Sequence, residues 1–137
     1  MFRRVFVAAA LAASFSFPAL AEEPQAPHAH WCMLSSFQVS QVASLYSSTH
    51  AERSTERLIG AQLFVPAQPG LTAEWIQANL ARHSGQAPAQ RSTECPLDVP
   101  GASMNVVSGG TGFWIQISSA DPAVAGVILK RAKESLH

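Results

Sequence analysis

The sequence predicts an α+β fold: a small three-stranded mixed sheet with two helices on one face, preceded by a helical segment. Three observations support this prediction. They are an alternating apolar run at residues 113–118, a glycine-rich turn just before it, and two stretches with helix-capping residues and apolar stripes. In chain order from residue 58, these features give strand, helix, strand, strand, helix.

The chain on either side of the glycine turn is predicted to form a β-hairpin. Phe113, Ile115 and Ile117 alternate with other residues and therefore share one face of a strand. The turn Gly109–Gly112 contains three glycines, which accept the positive φ angles that tight turns need. A hairpin closed there places Val106 opposite Ile115, so both strands present apolar side chains to the same face.

Two amphipathic helices are predicted, each with a recognisable start. Thr72 caps the first helix, which ends at Gly85, and Asp121 followed by Pro122 begins the second. Each helix carries a stripe of inward-facing residues at helical spacing. The stripes comprise Ile76, Leu80 and His83 in the first helix and Val124, Ile128 and Ala132 in the second.

The remaining segments complete the fold prediction. The apolar run at 58–65, ended by Pro66, is typical of a strand buried on both faces. A helix follows it, which predicts a right-handed crossover to a parallel neighbour, the strand at 103–108. Segment 31–53 is ambiguous, because its apolar positions favour a helix while residues 37–39 alternate like a strand. We predict a helix there.

The domain organisation follows from composition. Residues 1–21 are predicted to be a secretory signal peptide, with Arg3 and Arg4 before an apolar run and small residues at the cleavage site. Residues 22–30 form a proline-containing tail, and residues 31–137 form a single domain. The predicted location is therefore the periplasm or the extracellular medium. An uncleaved anchor is the alternative, and nothing after residue 21 is apolar enough to span a membrane.

Charge excludes one class of partner. The chain has nine basic and nine acidic residues, and cleavage after residue 21 leaves seven basic against nine acidic. No basic stripe remains, so a nucleic-acid partner is not expected.

Cys32 and Cys95 are predicted to form a disulfide, because an even number of cysteines in an exported chain favours disulfide pairing. Closing a loop of roughly 60 residues stabilises the folded state by about 4 kcal/mol in the chain-entropy model. The alternative is a free thiol that acts as a nucleophile or a metal ligand.

A second hypothesis concerns metal. His28, His30, Cys32 and Met33 bring together imidazole, thiolate and thioether groups, which are ligands that copper prefers. The alternative is a tail that simply leads to a disulfide cysteine. In that case only weak binding by the two histidines is expected, and no cofactor is needed.

The sequence does not predict an enzyme. It contains no G-x-S-x-G elbow, and the glycines at 109–112 lack the lysine and following helix of a phosphate loop. His50 and His83 are interpreted as capping or partly buried groups, with the possibility that they converge in space. Asp98 has no visible partner.

The open face of the sheet is the candidate interaction surface. Trp114, Val107, Gln116 and Asn105 point away from the predicted helices, and a tryptophan rimmed by amides suits a partner surface. The alternative is that segment 31–53 covers them. We therefore expect an exported, non-enzymatic interaction domain that binds an unidentified protein or a second copy of itself. A copper-binding protein is the alternative.

Overall fold

The computed structural model describes residues 32–47, 56–86 and 90–136. Within them the chain forms four strands and two α-helices. In chain order these are β1 (Gln41–Ser47), β2 (Arg57–Pro66), α1 (Ala73–Ser84), β3 (Ser103–Ser108), β4 (Gly112–Ser118) and α2 (Pro122–Glu134). Short 3-10 turns lie at Met33–Ser36 and Pro96–Asp98. The predicted signal peptide and tail lie outside the described residues and stay predictions.

The α+β class is confirmed, but the sheet differs from the predicted one. It has four strands in the order β1-β2-β4-β3, and every neighbouring pair is antiparallel. The predicted parallel pairing of β2 with β3 is wrong, since β4 lies between them. The two strands run in the same direction without sharing hydrogen bonds.

The β3–β4 hairpin has the predicted register. Val106 pairs with Ile115 and Met104 with Ile117. The Gly109 amide donates to the Gly112 carbonyl at 2.8 Å, and Gly110 takes a φ of 68°, which a side chain would disfavour.

The predicted helix at residues 31–53 is wrong. Its described part forms the 3-10 turn at Met33–Ser36 and then strand β1, while Trp31 and residues 48–53 lie outside the described residues. Met33, Leu34 and Phe37 enter the core under the helices. No residue of β1 is fully buried, so the strand depends on its hydrogen bonds to β2 rather than on an apolar pattern of its own.

Strand β2 is buried on one face only, which corrects the prediction of burial on both. Ala61, Leu63 and Val65 are completely buried beneath the helices. On the opposite face Gln62 and Phe64 are half-buried, because no described element packs over that side.

Both helices begin as predicted. The Thr72 hydroxyl oxygen accepts from the Trp75 amide at 3.1 Å, and the Asp121 carboxylate accepts from the Ala123 amide at 2.8 Å. Ile76 and Ile128 are completely buried and join the core above the sheet. Neither helix is both long and apolar enough to cross a membrane, as far as the described residues show.

Candidate functional site

The face of the sheet opposite the helices is built from three rows of side chains that cross all four strands. Strand pairing fixes the rows because directly paired residues point the same way. The first row is Gln41, Phe64, Trp114 and Val107; the second is Ala43, Gln62, Gln116 and Asn105; the third is Leu45, Gly60, Ser118 and Ser103. These twelve positions, here called the open face, contain no Lys, Arg, Asp, Glu or His.

An aromatic pair dominates the first row. The ring centroids of Phe64 and Trp114 lie 4.9 Å apart with the planes tilted by 52°, which is a favourable arrangement for two quadrupolar rings. Val107 flanks Trp114 and is 41% exposed. From β2 to β3 the row therefore offers a continuous apolar contact surface, with Gln41 at its β1 end.

The hairpin turn holds the Trp114 indole in place. A Cβ atom at Gly109 would lie 2.7 Å from Trp114 Cδ1 and 2.9 Å from Nε1, so the backbone of the turn passes directly against the ring. A side chain at this position would displace the indole. Because Gly109 has no side chain, Trp114 packs against Phe64 without obstruction.

The second row supplies hydrogen bonding without charge. Gln62, Gln116 and Asn105 stand side by side on three adjacent strands. Each amide carries both donors and acceptors, so the row can pair with another polar surface of almost any pattern. Apart from two serines, the face has no ionisable or nucleophilic side chain.

The four residues predicted for this surface, Trp114, Val107, Gln116 and Asn105, all lie on the open face. The described part of segment 31–53 forms the sheet edge and does not cover them. Sequence reasoning missed Phe64 and Gln62. Their strand was predicted to be buried on both sides, and the placement of β4 beside β2 could not be inferred.

The predicted disulfide is confirmed: Cys32 and Cys95 are joined, with their Cα atoms 5.3 Å apart. Cys32 therefore has no free thiolate to offer the predicted copper cluster, and Met33 is only 7% exposed within the core. His28 and His30 lie outside the described residues. The predicted copper cluster therefore lies partly outside the described residues and stays a prediction.

A buried polar cluster lies beside the disulfide. His83 Nε2 is 2.8 Å from Asp98 Oδ1, and both side chains are almost completely buried. Asp98 Oδ2 accepts from the Ser92 amide at 2.7 Å. His83 and Asp98 therefore form a close imidazole–carboxylate contact in the core, although it does not have ideal hydrogen-bond geometry.

Sequence reasoning placed His83 on the inward side of its helix, as observed, but gave Asp98 no partner. Asp98 follows Cys95 by three residues, in the loop that the disulfide holds against the core. The closeness of Asp98 to a disulfide cysteine in the sequence was the signal that could have indicated the His83–Asp98 pair. His50 lies outside the described residues, so its predicted convergence with His83 stays a prediction.

Comparisons with protein-family models, with the curated proteins and with the solved structures gave no match to this chain.

Proposed function

We propose that the chain is an exported, non-enzymatic interaction domain, and that the open face binds a second copy of the same chain. One observation carries the proposal. The face presents an aromatic pair, a row of amides and no charge, and neither helix covers it. Its composition is that of a face that ordinarily packs against another part of a protein.

The absence of charge favours self-association. A protein commonly recognises a different protein through complementary charges, which steer the encounter and reject wrong partners. The open face carries no charged group to perform that selection, and two copies of it do not repel one another. Association then depends on shape and on hydrogen bonding.

The order of the rows makes the open face self-complementary. A two-fold axis lying along the amide row brings the aromatic row of one copy over the third row of the other. Phe64 and Trp114 then face Gly60 and Ser118, which leave room for large rings. Gln116 meets the Gln116 of the second copy, and two amides satisfy each other.

The size of the face sets the expected strength. Four strands are about 19 Å across, and five residues of strand are about 17 Å long. A surface of this size is smaller than the ≈ 800 Å² per partner that stable complexes usually bury. We therefore expect a reversible dimer whose population rises with concentration.

Export is supported by two features. The amino-terminal pattern of residues 1–21 is that of a signal peptide, and disulfides persist in oxidising compartments. Expression of the full chain with intact-mass measurement of the exported product tests this part. The expected product begins at Glu22, and a product that retains residues 1–21 contradicts it.

Sedimentation equilibrium over a wide concentration range tests the interface. We expect the weight-average mass of the parent to rise from monomer towards dimer, and Gln116→Lys to stay monomeric because it places two like charges together on the axis. Ala78→Lys is the matched control, since it adds the same charge at an exposed position of α1. A parent that stays monomeric throughout, or a Gln116→Lys variant that dimerises as the parent does, overturns the proposal.

A further inference from the structure

We propose that reduction of the Cys32–Cys95 disulfide converts the buried polar cluster into a binding site for one Zn²⁺ ion. The ligands are the two cysteine sulfurs, His83 Nε2 and one carboxylate oxygen of Asp98. Its ligands include no residue of the open face and neither of the tail histidines His28 and His30.

The donor atoms are already close together. The ligand atoms of His83, Cys95 and Asp98 all lie within 4.8 Å of one another, and all three residues are buried. Zinc bonds of about 2.0–2.3 Å in tetrahedral geometry require donors about 3.3–3.8 Å apart. Small side-chain movements therefore suffice. Cys32 supplies the fourth donor, because its sulfur is bonded to that of Cys95 before reduction.

His83 and Asp98 already present two metal-binding groups to one point of the core. His83 is 3% exposed, and its Nε2 lies 2.8 Å from Asp98 Oδ1 without ideal hydrogen-bond geometry. Buried polar nitrogens are nearly always paired, and here the partner is a carboxylate, which is itself a zinc ligand. A metal ion between His83 and Asp98 would use Nε2 and the negative charge of the carboxylate together.

The surroundings hold the ligands in position. The Ser92 amide donates to Asp98 Oδ2, while Asp98 Oδ1 lies against His83 Nε2. Arg131 reaches the Cys95 carbonyl at 3.5 Å and ties α2 to the same loop. Such contacts from outside the ligand set orient ligands before the ion arrives.

The disulfide is accessible from one side. A surface groove of about 490 Å³ is lined by both cysteines together with Ser92, Glu94 and residues of the α2 carboxyl end. Cys32 is half-buried, whereas Cys95 is 1% exposed. A reductant therefore meets the Cys32 sulfur first, and Cys95 is the leaving sulfur beside His83.

The chemistry balances with a dithiol as reductant. Two electrons and two protons pass to the disulfide, the S–S bond breaks, and the dithiol becomes a disulfide. Zinc then displaces the two thiol protons, giving two thiolates, one carboxylate and a neutral imidazole around the ion. In the oxidised chain the sulfurs are bonded to each other, so only His83 and Asp98 stay available.

Zinc titration of the full chain tests this site. The protein is studied oxidised and after reduction by a phosphine, without oxygen, in competition with a chromophoric chelator. We expect one Zn²⁺ per reduced chain and at least 100-fold weaker binding by the oxidised chain. With Co²⁺ in place of zinc, the reduced chain should show thiolate-to-metal charge transfer and the intense visible bands of tetrahedral coordination.

Variants distinguish this site from two free thiols. His83→Ala and Asp98→Asn should each weaken zinc binding by the reduced chain at least tenfold, while Asp98→Asn keeps the size of the side chain. Glu94→Gln is the control in the same groove, and the double change of His28 and His30 to alanine is the control for the tail. Both controls should bind zinc as the parent does.

Far-ultraviolet circular dichroism keeps the test decisive if reduction unfolds the chain. In that case zinc should restore the folded spectrum. Reduced protein that binds zinc no more tightly than oxidised protein, that stays unfolded in excess zinc, or that is unaffected by both His83→Ala and Asp98→Asn overturns the proposal.

Discussion

Ile115 lies at the centre of the sheet, paired with Leu63 on one side and Val106 on the other. It is completely buried beneath the helices. Ile115→Ala removes apolar contacts and leaves a cavity, so we expect it to lower the free energy of unfolding by about 2–5 kcal/mol. Urea denaturation measures the change. Val127→Ala, at a position 40% exposed on α2, should change it by less than about 0.5 kcal/mol, and equal effects would mean that the sheet faces are inverted.

Gln77 protects an edge of the sheet. Its side-chain oxygen accepts from the Val106 amide at 3.0 Å, so α1 satisfies a donor of the edge strand β3 that no neighbouring strand can reach. Gln77→Met keeps the length of the side chain but removes the acceptor. We expect a loss of about 1–2 kcal/mol in unfolding free energy, measured by urea denaturation.

Gln68→Met serves as the control for Gln77→Met, because Gln68 is exposed and precedes α1. It should leave the unfolding free energy nearly unchanged. If both variants have the same stability, the Gln77 hydrogen bond does not stabilise the edge.

Local features of the elements were predictable and long-range pairings were not. The hairpin register follows from alternation and one turn, and each helix start follows from a capping side chain within three residues of its partner. Strand β1 has no such local signal. Its residues are only partly buried, and its conformation depends on β2, which is joined to it through residues outside the described chain.

The position of β4 shows the same limit. It lies between β2 and β3, and its helix-side residues Ile115 and Ile117 are completely buried, whereas Met104 and Val106 on the same side of the edge strand β3 are only partly buried. Choosing between β3 and β4 in this way requires knowing that both strands compete for the place beside β2. The candidate surface was therefore predicted only in part: four of its residues on β3 and β4 were found, and its β1 and β2 residues were missed.

Gly126 weakens α2. It is an exposed position within the helix, and a Cβ atom there would contact nothing within 4 Å. Gly126→Ala should raise the unfolding free energy by about 0.5–1 kcal/mol, because alanine loses less backbone entropy on forming a helix. Thermal and urea denaturation measure the gain. The same substitution at Gly110, where φ is 68°, should instead destabilise the protein, and a loss of stability in Gly126→Ala would contradict the assignment of open space around that position.

At the scale of the whole molecule, the disulfide joins the start of the folded chain to the loop before β3. Cys32 and Cys95 are 63 residues apart, and that interval contains β1, β2 and α1. The bond fixes the 3-10 turn at Met33–Ser36 and the one at Pro96–Asp98 in the same corner of the core. The irregular loop before β3 therefore has a covalent constraint in place of regular backbone pairing.

The double variant Cys32→Ser, Cys95→Ser tests how much the fold depends on that bond. A loop of this length stabilises the folded state by about 4 kcal/mol if the bond acts by restricting the unfolded chain. In buffer with a metal chelator, we expect the variant to lose a similar free energy of unfolding and to show a larger dependence on urea concentration, because its unfolded state is more expanded. Added zinc should not restore its stability, since serine hydroxyls do not replace thiolate ligands. A variant as stable as the oxidised parent would mean that core packing alone holds the loop before β3 in place.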